Sequence, residues 1–140
     1  MPDARAFPPG RWIWLYDRRD YWRSHFGEAL AASGCGVRSS VQYQVPPPDC
    51  PPDEEPDLVV VGCAHVTEEE RDLVRRCAQR HHHVLVLAAS RDAATVRDLF
   101  FAGAFDVTRI PASANQFLAL VEQTLEKAER ARLREVLLST

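Results

Sequence analysis

The stretch EEPDLVVVGCAHVTEEE, Glu54 to Glu70, decides how the chain folds. Its first half, DLVVVG, is an unbroken apolar run, the pattern of a strand covered on both faces. Its second half places Thr67 and Glu70 at the spacing of a capping box. That predicts a helix through TEEERDLVRRCAQR, with Leu73, Val74 and Cys77 turned inward. A buried strand feeding a helix is the repeating unit of a parallel α/β sheet. In such sheets chemistry gathers beyond the carboxyl ends of the strands. This strand ends in Gly62-Cys63-Ala64-His65, and a glycine offers no side chain there.

Working outward, RWIWLYD (Arg11 to Asp17) reads as a first strand and RRDYWRSHFGEALAASG as a helix. Trp22, Phe26 and Leu30 form its apolar face and Gly34 stops it. VRSSVQYQV, Val37 to Val45, alternates as a more exposed second strand. PPPDCPPDEEP, residues 46–56, follows with six prolines and four acids. Proline removes amide donors and clashes with a preceding turn, so an extended, polyproline-type crossover is expected in place of a helix. Toward the C-terminus, HVLVLAA reads as a buried strand and SRDAATVRDLFFAG as a helix with a Ser or Asp cap and a Gly stop. FDVTRI is a short fifth strand, and a long helix spans about residues 113–137. Strand–helix alternation of this kind implies a flavodoxin-like, doubly wound, five-stranded parallel sheet of order 2-1-3-4-5 with helices on both faces.

The 140 residues make one domain, residues 1–140, with a core over about 11–127. A hydrophobic share of 46% and a charged share of 26% belong to a soluble globular chain. A net charge of −3 with scattered basic residues argues against nucleic acid. The apolar runs fall far short of the ~18 residues of a membrane span. Without a secretion signal in MPDARAFPPGR, a cytoplasmic location is expected. The cysteines at 35, 50, 63 and 77 lack CxxC spacing and read as buried or incidental thiols.

PDLVVVG, HVLVLAAS and AGAFDVTRIP, in this order and spacing, resemble the receiver domain of bacterial two-component response regulators, over about residues 12–127. The resemblance implies a site that phosphorylates an aspartate, built from an acceptor, acids for Mg²⁺, a lysine and a hydroxyl. Carried over position by position, the acceptor falls on Gly62 and the acidic pair on Tyr16 and Asp17. The hydroxyl falls on Ala88, the switch aromatic on Val107 and the lysine on Ile110, with Pro111 retained. Only Asp17 survives. The resemblance therefore implies a pseudo-receiver: no enzyme, no cofactor, no metal, acting through protein contacts in two-component-type regulation.

It further implies a partner or homodimer face on the helix after the fourth strand, the fifth strand and the last helix. The candidates there are Phe101, Val107, Arg109, Leu118 and Leu125. Of the adjacent rings, Phe100 takes the core position of the pattern and Phe101 the outward one, as an interface anchor or a ring lying under a neighbour. Leu133, Val136 and Leu137 extend the last helix as a frayed tail or a dimer helix. Asp17 reads as a helix cap rather than a remnant metal ligand. His81 to His83 read as a favourable charge at a helix C-terminus rather than a metal tract. The alternative function is a ligand-binding or enzymatic site formed by Asp17, Cys63 and His65, which requires a depressed Cys63 pKa. A small molecule at the vacated site is a third reading.

Overall fold

The computed structural model describes residues 10–19, 23–89 and 92–138. Among them, five strands and four helices follow in the order β1 (Trp12–Tyr16), α1 (Arg23–Ala32), β2 (Gly36–Ser40), β3 (Leu58–Cys63), α2 (Glu68–Gln79), β4 (Val84–Ala88), α3 (Ala93–Ala102), β5 (Asp106–Arg109) and α4 (Ala114–Leu138). All strand pairs are parallel and the sheet order is β2-β1-β3-β4-β5. This is the doubly wound order read from the sequence.

Alternation along the strands divides the core in two. Trp14, Tyr16, Val59, Val61, Val84 and Val86 face α2 and α3, meeting Leu73, Val74, Cys77 and Leu99. Ile13, Leu15, Leu58, Val60, Leu85 and Leu87 face α1 and α4, meeting Phe26, Leu30, Phe117, Val121 and Leu125. Phe26 stacks on Phe117 with centroids 4.3 Å apart, joining the two helices of that face. β3 and β4 are buried at every position, which is why both read as unbroken apolar runs.

The punctuation acts as its chemistry requires. Thr67 and Glu70 form the reciprocal capping box of α2, and Asp92 caps α3 through Thr95 N. Gly103 ends α3 with φ 117°, a conformation open to glycine, and an added Cβ would lie 2.5 Å from that of Ala78. The expected contribution of Trp22 to α1 and of Ser90 to the cap of α3 lies outside the described residues.

Several expectations are corrected. β2 ends at Ser40, five residues before Val45, because Tyr43 and Val45 leave the sheet to pack on the α2 side. No helix separates β2 from β3, but the Pro-rich loop is not an extended path. Cys50 N bonds Pro47 O at 3.2 Å and Glu54 N bonds Pro51 O at 3.1 Å, folding it into two tight turns. Trp14 Nε1 donates to Glu54 O at 3.1 Å, Arg38 pairs with the Glu54 carboxylate, and Pro47 and Pro56 are buried.

Phe100 does not take the core position: Leu99 does, and Phe100 stands half exposed beside an 82% exposed Phe101. The His82 and His83 side chains are taken up by packing, where a role at the end of α2 was expected. The last turn is closed by backbone bonds, including His82 N to Cys77 O, and burial pushes both imidazoles below their ordinary value. Their rings lie edge-on to Trp14 and Phe105 as packing elements. Among the described residues, no helix is long and apolar enough to cross a membrane.

Candidate functional site

The carboxyl edge of the sheet gathers the positions singled out by sequence. Tyr16 is in register with Val61, Gly62 with Leu87 and Cys63 with Ala88, so Asp17, Gly62 and Ala88 converge there. Asp17, Gly62, Cys63 and His65 line one shallow cleft of about 70 Å³ with Arg18, Tyr43, Thr67 and Glu70. Ligand pockets are typically ~300 Å³ or more, so this space suits a few waters.

The remaining positions are turned to packing. Tyr16 is fully buried and its hydroxyl donates to the Gln44 carbonyl, and burial pushes that hydroxyl up. Ala88 is buried against α2 and α3, and Ile110 packs onto the Phe117 side of the core. Asp17 is buried and accepts from Arg19 N at 3.2 Å, and the chain just before α1, where a cap would act, lies outside the described residues. Among the described residues, no group of three or more His, Cys, Asp or Glu could hold a metal ion.

Part of what lines the cleft was missed by sequence reasoning. The buried Glu70 carboxylate accepts from Thr67 N at 2.7 Å and from the Tyr43 hydroxyl at 2.8 Å. Arg18 pairs with Glu69, comes within 3.8 Å of Glu70, and lies 4.6 Å over the Tyr43 ring. Burial raises the Glu70 carboxyl, but the Thr67 and Tyr43 bonds and Arg18 outweigh it, holding the group below its ordinary value. These groups are satisfied by one another and leave little to offer a ligand. Glu70 was legible as half of a capping box. Tyr43 and Arg18 had no signal, since the bond joining Tyr43 to Glu70 spans 27 residues.

The structure thus brings Asp17, Cys63 and His65 to one cleft without making a nucleophile. Cys63 is buried, its Sγ is 3.8 Å from Leu87 O, and burial first, then Glu70 and Asp17, push its thiol up to about 12. The depressed pKa that an enzymatic site would need is reversed. Native protein treated with iodoacetamide near pH 8 should label at the half-buried Cys50, with Cys35, Cys63 and Cys77 reacting only on unfolding. Peptide mass spectrometry checks this, and early Cys63 labelling would contradict the burial.

On the expected partner face, Val107 and Leu125 are buried in the two core layers and cannot present a surface. Phe101 and Arg109 are exposed and Leu118 is half-buried.

No family model and no curated protein matches the chain. Solved structures do. A CheY-like response regulator receiver domain protein from Methanospirillum hungatei JF-1 aligns with TM-score 0.69 at 12% identity, over 86% of this chain and 98% of that one. The fold is a receiver fold. A response regulator from Thermotoga maritima gives TM-score 0.64 at 22% identity, over 83% of this chain and 98% of that one. NtrX from Brucella abortus, in complex with ATP, gives 0.72 at 19%, over 90% of this chain but 29% of its own length. At these identities the likeness concerns the receiver fold alone.

Proposed function

We propose that the chain is a non-phosphorylatable, receiver-like signalling module that acts by protein–protein contact in two-component-type regulation. The observation that carries this is a glycine, Gly62, at the end of β3, in register with Leu87 and beside a cleft of about 70 Å³ whose lining Arg18, Tyr43, Thr67 and Glu70 are engaged with one another; the resemblance matches Gly62 to the acceptor. Aspartyl phosphorylation needs an acceptor and cations to offset the charge of the incoming phosphoryl group. Here Ile110 and Ala88 stand where the lysine and hydroxyl would be.

A module without its switch has to work by what it presents. Phe101, with Phe100, Arg109 and Leu118, is the surface we assign to a protein partner or a second copy; a ring 82% exposed is a candidate anchor. Leu133, Val136 and Leu137 on the α4 tail are a second apolar surface, 60–74% exposed.

Fluoroberyllate with Mg²⁺, a phosphoryl mimic, should leave the amide NMR spectrum and thermal stability unchanged. Gly62→Asp should do no better, because an acceptor restored alone still lacks the lysine and a second acid. A Mg²⁺-dependent spectral change in the unmutated chain would overturn the proposal.

A further inference from the structure

At the opposite edge of the sheet, the Pro-rich loop is docked over a buried histidine whose polar needs are unmet. His82 follows α2, and its side chain is 8% exposed. Its Nε2 is buried without a hydrogen-bond partner. The Glu55 carboxylate of the loop lies 3.6 Å from it, just beyond bonding distance. The ring lies edge-on to Trp14 with centroids 5.1 Å apart. Trp14 in turn holds the loop through Glu54 O, while Arg80 Nη1 holds Val45 O at 3.2 Å. A cleft of about 180 Å³ remains under the loop, lined by Trp14, Pro46, Cys50, Glu54, Glu55 and Arg80 among others.

We propose that His82 is an acid-sensitive latch for the Pro-rich loop: neutral, it packs between Glu55 and Trp14 and the loop stays docked; protonated, it is driven to solvent and the loop lets go.

The direction follows from the surroundings. A second proton on the ring must be housed in a buried site. Arg80 and His81 at the end of α2 and Arg132 from α4 oppose it. Glu55 favours it and is the largest of these charge effects, but all four charged neighbours are at least partly exposed and screened, and the burial of the ring outweighs them. The outcome is an imidazole held below its ordinary 6.5, with burial the largest cause. A docked state that binds the proton less well than the released state is fully favoured above that ordinary value and loses ground as pH falls below it. His83 is held low by the same cause, but its ring packs on Phe105, away from the loop.

Hydrogen–deuterium exchange of residues 49–57 in the full chain, corrected for intrinsic rates, tests this at roughly pH 7.5 and 5.5. Protection of the Cys50, Glu54 and Asp57 amides, all hydrogen-bonded in the docked loop, should drop several-fold at the lower pH. His82→Phe keeps a ring against Trp14 and should abolish that drop, whereas His83→Phe should leave it in place. The His82 ring resonances of the unmutated chain should titrate below the ordinary histidine value, a readout that stands even if His82→Phe fails to fold. Unchanged or rising protection in acid, an equal drop in His82→Phe, or a His82 midpoint at or above the ordinary value each overturns the proposal.

Discussion

Phe117→Ala should lower folding stability by about 3–5 kcal/mol, the usual cost of deleting a buried aromatic ring. Phe117 is fully buried, stacked on Phe26 with planes 9° apart, and sits among the side chains that join α1 and α4 to the sheet. The lost ring removes apolar burial and leaves a cavity that two helices pinned to the same strands cannot collapse. A domain of this size holds ~5–15 kcal/mol in total, so this is a large share of its margin. Urea unfolding followed by circular dichroism should show a lower midpoint at an unchanged slope. A loss below about 1 kcal/mol would mean that the stack is not the joint between the helices.

Glu70→Ala should cost about 2–4 kcal/mol, summing a lost helix cap and the orphaning of a part-buried hydroxyl. Thr67 N and the Tyr43 hydroxyl both lose their acceptor, and Arg18 loses one of its two neighbouring carboxylates, Glu69 remaining. The effect carries a pH signature. The Glu70 carboxyl is held below its ordinary value in the fold, so its contribution is complete above about pH 4.5 and fades as pH falls through the lowered folded value. Acid unfolding of Glu70→Gln, which keeps the shape without the charge, should lose part of that acid dependence. Equal acid limbs in the two proteins would remove Glu70 from the account.

Much of the fold was legible because its signals are local. The runs of β3 and β4 record burial on both faces, the Thr67–Glu70 spacing records a cap, and Gly34 and Gly103, both at positive φ, record helix ends. The positions of Asp17, Gly62 and Ala88 were legible because each is fixed by its place at or beside the end of a strand. What was not legible depends on contacts between distant residues. The alternation of VRSSVQYQV runs past Ser40, but Tyr43 leaves the strand to reach Glu70. Six prolines forbid a helix without saying that side chains such as Trp14 and Arg38 would hold the loop folded. Val107 and Leu125 fall on the expected partner face by position, and only the packing of α3 and α4 shows that their side chains point away from it.

The borders of the sheet limit how this chain can associate. β2 and β5 are its outer strands, five and four residues long. β2 carries Arg38 and β5 carries Arg109, and the chain turns out of β2 at Ser40. Short, charged borders are poor templates for a further strand, because an added chain would have to desolvate a guanidinium at each end of the sheet. Growth of the sheet into fibrils or strand-swapped dimers is therefore disfavoured by construction. The exposed apolar side chains lie instead on helices, Phe100 and Phe101 on α3 and Leu133, Val136, Leu137 and Leu138 on α4.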